Sequence, residues 1–231
     1  MRGILLFASL CIWLLHAVGI SMARAEPATV DVALVLAIDI SASVDADEHR
    51  LQMTGLAAAL QDEALIRAIA AAPHKRIAIA VTQWSGTRTQ FIVQPWAIVE
   101  GKDSARDLSR RLLLSRRADS GGGTSISAAL THAAGLFAFA PRATRQVIDL
   151  STDGINNIGP PLDDVRRQLG EQKITVNALA IAEQWPKLAD YLDENVITGP
   201  AAFAITAKTF DDFGSAMLVK LLREIRGPGL T

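Results

Sequence analysis

Asp39, Ser41 and Ser43 alternate directly behind the apolar run Val30 to Ile38, so one carboxylate and two hydroxyls are delivered at the tip of a buried strand. Hydroxyl and carboxylate oxygens are hard donors that suit Mg²⁺, Mn²⁺ or Ca²⁺ rather than zinc or copper. Two later segments can complete the set. Gly122-Gly123-Thr124-Ser125 opens one helical stretch, and Ser151-Thr152-Asp153-Gly154 ends a second apolar strand, Gln146 to Leu150. Ligands of an open α/β sheet gather outside the carboxyl ends of its strands. If those two strands are neighbours, Asp39, Ser41, Ser43, Thr124 and Asp153 face one point. Taken singly, Asp39 and Ser41 could be turn makers, Ser43 a helix cap and Thr124 an N-cap. Taken jointly and in this order, the five residues point to a cation.

The elements needed to position them are legible along the chain. Strand-like and helix-like patterns alternate from Val30 onward, the signature of a doubly wound, mostly parallel α/β sheet with helices on both faces. Val30 to Ile38 reads as the central strand. Asp45 begins a helix with Glu48 placed for a capping box, and the pattern continues to about Ala72 with a break near Asp62, stopped by Pro73. Arg76 to Trp84 is a second strand. The short turn at Ser85-Gly86 permits only an antiparallel return, so Thr87 to Trp96 is expected as an antiparallel edge strand.

Further helices are predicted over Asp103 to Ser115, Thr124 to Phe139, Pro160 to Leu169 and Leu188 to Glu194. Strands are predicted over Lys173 to Ile181 and Ala201 to Ala207. Thr209 is expected to cap a last helix whose apolar positions Phe213, Met217, Leu218, Leu221 and Ile225 form a core-facing stripe. Gly121-Gly122-Gly123 is read as a loop that positions Thr124. Asp45 and Asp47 are read as first-turn acids rather than a second cation site. Asn156 and Asn157 are expected at the rim, orienting Asp153 or a ligand, or forming a turn.

Arg2, the apolar run Ile4 to Ile20 and Ala23-Arg24-Ala25 have the form of a cleavable secretory signal, giving residues 1–25 as signal and 26–231 as a single domain. After cleavage no stable membrane anchor is expected, and the location is secreted or periplasmic. The only cysteine, Cys11, lies in that signal, so the rest of the chain must be held by its core without disulfides. The formal net charge is −1, and removal of Arg2 and Arg24 lowers it by two. No basic stripe for nucleic acid is evident.

The pattern Asp-x-Ser-x-Ser with a distant Thr and a distant Asp resembles the von Willebrand factor A family and its metal-ion-dependent adhesion site. The resemblance covers nearly all of residues 30 to 226. Trp84-Ser85-Gly86 and Ser151-Thr152-Asp153-Gly154-Ile155-Asn156-Asn157 further resemble the bacterial secreted A-like branch of unknown function. The resemblance implies Ser41, Ser43 and Thr124 as hydroxyl ligands of Mg²⁺, with Mn²⁺ or Ca²⁺ as alternatives, and Asp39 and Asp153 binding directly or through water. It implies a domain that binds a protein partner presenting an Asp or Glu to complete the metal shell.

Two other functions compete with this one. The first is a periplasmic assembly or maturation accessory. The second is a metal-dependent hydrolase, or a serine hydrolase using Gly123-Thr124-Ser125. A nucleophile needs a base, and His49, His74 and His132 all fall in or beside helices without a supporting motif; no Gly-x-Ser-x-Gly elbow is present. Arg116 and Arg117 are the only nearby phosphate-binding candidates and are read as solvated loop residues. A non-enzymatic binding domain is therefore expected.

Overall fold

The structure, a computed structural model, describes residues 29–119 and 122–227. The expected signal segment with Cys11, and Gly121, lie outside the described residues.

Strand β1 (Val30–Asp39) is buried at all ten positions. It lies at the centre of a six-stranded sheet, between β2 (Ile77–Trp84) and β4 (Ala143–Thr152), with parallel pairing on both sides. The outer strands are β3 (Gln90–Val99), antiparallel to β2, and β5 (Thr175–Ile181) and β6 (Ala204–Ala207), both parallel, giving the order β3-β2-β1-β4-β5-β6. The period of two in β1 supplies both faces. Val32, Leu34, Leu36 and Ile38 pack in one core with α1 (Ala46–Gln61), α2 (Glu63–Ala71), α3 (Lys102–Leu113) and α7 (Phe213–Arg226). Ala33, Val35 and Ala37 belong to the other core, with α4 (Ile126–Leu136), α5 (Leu162–Glu171) and α6 (Leu188–Asn195). The doubly wound expectation is met, including the antiparallel edge strand.

Local chemistry sets the first helices as expected. The Asp45 side chain accepts from the Asp47 and Glu48 amides while Glu48 accepts from the Asp45 amide, a complete capping box. Asp62 ends α1 and caps α2, taking the Ala64 amide at 2.7 Å. The stripe Phe213, Met217, Leu221 and Ile225 is buried, with Leu218 packed against it.

Several boundaries differ from expectation for physical reasons. The third strand starts at Gln90, not Thr87, because Ser85 and Thr89 close the turn by an amide-to-carbonyl bond of 2.9 Å. It runs on through Pro95 to Val99; register shifts near Val81 accommodate it, and an edge strand tolerates the missing amide. The fourth strand gains Ala143 to Arg145 because Ala143 and Arg145 pair with Val30 and Val32. The helix expected from Thr124 starts at Ile126 and ends at Leu136, followed by a 3₁₀ turn over Phe137–Phe139. Pro161 sits at the N-cap of α5 rather than within its first turn. Thr209 does not cap the last helix: it bonds Asp212 across a preceding turn, and Asp212 is the residue before Phe213.

Helices α1 and α7 cross backbone against backbone. A Cβ added at Gly55 would lie 2.7 Å from the Gly214 Cα. Gly55→Ala is expected to force the helices apart and lower unfolding free energy by about 1–3 kcal/mol, read by urea denaturation. A surface Ala substitution such as Leu114→Ala, at a residue 77% exposed, should change it far less.

Candidate functional site at the strand ends

Ile38 pairs in register with Ser151, which brings the next residues of the two central strands, Asp39 and Thr152, together at their carboxyl ends. Asp39 is the last residue of β1 rather than the first beyond it, and it is fully buried. Its Oδ1 accepts the Ser41 amide at 2.6 Å, turning the chain back over the carboxylate, and its Oδ2 accepts the Thr152 hydroxyl at 2.5 Å. The Ser41 and Ser43 hydroxyl oxygens are 3.2 Å apart, and Ser43 donates to Asp153 Oδ1 at 2.9 Å. Four of the five predicted residues thus form one connected polar cluster.

Thr124 is held next to the residue that follows Asp153. Its amide donates to Asn157 Oδ1 at 2.9 Å, and the Asn157 amide donates to its carbonyl at 3.0 Å. Those bonds fasten it to the loop after β4, where a Cβ on Gly154 would lie 3.6 Å from Thr124 Oγ1. Thr124 is buried and precedes Ser125, the N-cap residue of α4, so its hydroxyl does not cap the helix. The capping explanation for Thr124 therefore does not hold here.

The electrostatics are unbalanced. Burial pushes the Asp39 carboxyl up to about 7, with the neighbouring Asp153 charge adding to the rise and the bonds from Thr152 and Ser41 opposing it. Burial likewise raises Asp153, against the Ser43 hydrogen bond. Asp153 Oδ2 is buried and has no hydrogen-bond partner among the described residues. A buried acceptor left open costs about 1–3 kcal/mol, so this oxygen is poised for a donor or cation.

Three supporting features escaped the sequence reading. Thr152 holds Asp39, although a hydroxyl beside Asp153 at the end of the neighbouring strand was a usable signal. Arg117, expected to be a solvated loop residue, instead points inward: its guanidinium donates to the Ile40 carbonyl at 3.0 Å and the Val44 carbonyl at 2.8 Å, and reaches the Ser41 carbonyl at 3.4 Å. It clamps the loop that carries the serines. Asn156 and Asn157 neither orient Asp153 nor merely form a turn; Asn156 accepts the Ser127 amide at 3.1 Å, so the pair fastens the start of α4.

Gly123 and Gly122 show why that loop is glycine-rich. A Cβ on Gly123 would come within 2.5 Å of the Ile158 side chain. Gly122 has φ of 97° and accepts the Ala42 amide at 3.0 Å, tying the Thr124 loop to the serine loop.

The histidines stand apart from this cluster. His49 is buried beside Gln83, 2.9 Å between Nε2 atoms, and burial followed by the Arg117 charge lowers its pKa to about 4. Because the Gln83 amide nitrogen can only donate, His49 accepts there as the neutral ring. His74 pairs with Asp31 near the opposite end of β1, 3.0 Å from Nδ1 to Oδ1. The Ser125 hydroxyl faces Ser127, at 3.5 Å.

A family model described as "Protein of unknown function (DUF1194)" matches residues 29–229. The chain belongs to this family. Its fold is that of von Willebrand factor A domains. Proximal thread matrix protein 1 from the mussel byssus, in a form with a zinc-occupied MIDAS motif, aligns with a TM-score of 0.63 at 18% identity, over 87% of this chain and 49% of that one. A von Willebrand factor type A protein from Catenulispora acidiphila aligns at 0.58 and 18% identity, over 85% and 43%. The manganese-loaded TRAP protein of Plasmodium vivax aligns at 0.51 and 19% identity, over 84% and 73%. The DUF1194 chain spans about half the length of the byssus protein it matches. No curated protein matches it.

A carboxyl raised by folding makes the folded state bind more protons than the unfolded chain between the two pKa values, so stability contributed by that group falls as pH rises. In chelator, between pH about 4 and about 7, Asp39 is therefore expected to make the protein progressively less stable with rising pH. Asp39→Asn should flatten that part of the profile, as read by denaturant midpoints across the range. A wild-type profile parallel to that of the variant would refute the assignment.

Proposed function

We propose that this domain binds a protein partner through one hard divalent cation held by Asp39, Ser41, Ser43, Thr124 and Asp153, as a non-enzymatic adhesion-type module. The observation that carries this reading is the cluster itself: two buried acids of which Asp153 raises Asp39, the Ser41 and Ser43 hydroxyls brought to them by one loop, Thr124 held beside Gly154 by another, and an Asp153 oxygen without a hydrogen-bond partner among the described residues. The donor set is all oxygen, which fits Mg²⁺, Mn²⁺ or Ca²⁺. Among the described residues no group of three or more His, Cys, Asp or Glu comes together, so the cluster does not have the make-up of a thiolate or imidazole site. The zinc-occupied MIDAS motif named for the byssus protein and the manganese named for the TRAP protein support a divalent cation as the ligand.

The number of negative charges decides what such a site is for. Three neutral hydroxyls cancel none of the charge of a bound divalent cation, so with Asp39 and Asp153 acting through water the ion stays attractive to a further anion. Opposite unit charges 4 Å apart attract by about 4 kcal/mol at an effective dielectric of about 20, before desolvation. A partner Asp or Glu is the protein group suited to that position, and protein contacts around it supply the remaining affinity. Thr152 and the Ser41 amide hold Asp39, Arg117 holds the serine loop, and Asn157 holds Thr124, so the donors are arranged before binding. A pilus adhesin from Lactobacillus rhamnosus among the structural neighbours is in keeping with partner binding. The reading of residues 1–25 as a cleavable signal supports a periplasmic or secreted location. A periplasmic client awaiting assembly or maturation would be recognised by the same chemistry.

Affinity capture from an envelope extract should recover a partner in Mg²⁺ and lose it in chelator. Asp39→Ala should abolish the Mg²⁺-dependent fraction while circular dichroism stays native. Thr124→Ala should reduce calorimetric cation affinity by tenfold or more with a stability change within about 1 kcal/mol. Equal recovery with and without cation, or no cation uptake by the folded domain, would overturn the proposal.

A further inference from the structure

A second cluster of charges lies on the other side of the molecule's chemistry, between the sheet and α7, and the cation site does not use it. Lys220 Nζ is 2.7 Å from Asp149 Oδ1 and 2.8 Å from Glu224 Oε1, with all three side chains at most 1% exposed. Asp149 projects from β4, and Lys220 and Glu224 are one turn apart on α7. Asn177, the register partner of Asp149 on β5, donates to Glu224 Oε1 at 2.9 Å and is itself fixed by the Phe203 amide, which donates to its Oδ1 at 3.1 Å. The Phe203 ring lies 5.7 Å from Lys220 Nζ.

As a means of stability this arrangement is poor. Two carboxylates share one ammonium out of reach of water; neither Asp149 oxygen nor Glu224 Oε2 has a hydrogen-bond partner among the described residues, the 2.7 Å contact of Lys220 with Asp149 Oδ1 being an ion pair without hydrogen-bond alignment. Apolar residues of similar volume would commonly serve as well or better. Burial and the Glu224 charge hold the Asp149 carboxyl well above the ordinary range, against the pull of Lys220.

From this geometry we infer that Lys220 and Asp149 are the partners of an intramolecular isopeptide bond, formed without cofactor and assisted by Glu224. An amine in contact with Oδ1 has the Asp149 Cγ one carbon–oxygen bond away, close to the attack distance of about 3–3.5 Å. In this step Lys220 passes one ammonium proton to Asp149 across their 2.7 Å contact, its Nζ bonds to Cγ, and the bond from Cγ to the oxygen so protonated breaks. Glu224 Oε1, within proton-transfer reach of the amine, takes the proton that Nζ loses and returns it to the departing oxygen. The products are one secondary amide and one water, with Glu224 restored; no oxidant or reductant is required. Water can leave through the adjoining cavity of about 790 Å³, whose wall includes Asn177, Phe203 and Glu224. The bond would tie β4 to α7 in a chain whose only cysteine is Cys11.

The test is peptide mapping of the purified protein after full denaturation. With the bond in place, trypsin no longer cuts after Lys220, and residues 146–166 and 209–223 are recovered as one branched species lighter by one water than the two peptides together. Lys220→Arg should abolish that species. Glu224→Gln, which keeps side-chain shape, should leave most of the chain unbranched in the same time, with a native circular dichroism spectrum. Recovery of separate, full-mass peptides from the wild-type protein after prolonged incubation would overturn the inference. Branching in Glu224→Gln at the wild-type rate would overturn the role given to Glu224.

Discussion

Burying the Asp39 carboxylate at the end of the central strand is the constraint on which the upper end of the molecule depends. An ionised acid in that position must be neutralised or surrounded by donors, and the donors come from two places in the chain. The Ser41 amide is local and folds the chain over the carboxylate. Thr152 comes from the neighbouring strand and requires β1 and β4 to be adjacent and in register. The geometry of the site is therefore a consequence of the sheet topology. No loop has to find its place independently, because each is attached to a strand end that already has one.

The two cores divide this work. One face of β1 carries Val32, Leu34, Leu36 and Ile38, large residues that seat α1 and α7, and the other carries Ala33, Val35 and Ala37 beneath the α4 side. Fixing β1 on both faces leaves its C-terminal turn no freedom to swing. Gln52 of α1 donates to the Asp39 carbonyl at 3.2 Å, and Gln83 of β2 holds the 116–118 segment by accepting the Ala118 amide at 2.8 Å. That second contact sets up Arg117 to reach the carbonyls of Ile40 and Val44. Hydrophobic packing places the strands, and buried amides transmit that placement to the loops.

The sequence made the alternation of strands and helices readable because β1, β2, β5 and the second half of β4 are mostly apolar and buried on both faces. It also exposed the capping box at Asp45 and the break at Asp62, where local side chains set the backbone. The errors fall where distant partners decide. Ala143 to Arg145 are not apolar enough to declare a strand, yet they pair with β1. Thr124 looks like an N-cap, and only the contacts from Asn157 show that it is held outside the helix. Arg116 and Arg117 are indistinguishable by composition; one faces three carbonyls because Gln83 fixes the backbone beside it. Thr152 could have been found by asking what must neutralise Asp39 across a parallel pair.

Hydroxyl donors make strong demands on such a scaffold. A carboxylate attracts a cation from several directions, whereas a serine or threonine oxygen is useful only if its position is set, since its charge is zero and its rotamers are few. The glycines answer that demand: Gly123 admits Ile158 against the backbone, and Gly122 adopts a positive φ that lets its carbonyl accept from Ala42. Together they lock the Thr124 loop to the loop bearing Ser41 and Ser43. A side chain at Gly123 would push away the segment containing Asn157, and Thr124 would lose both its backbone anchor and its place beside Gly154. Rigidity in these loops thus substitutes for negative charge in organising the cluster.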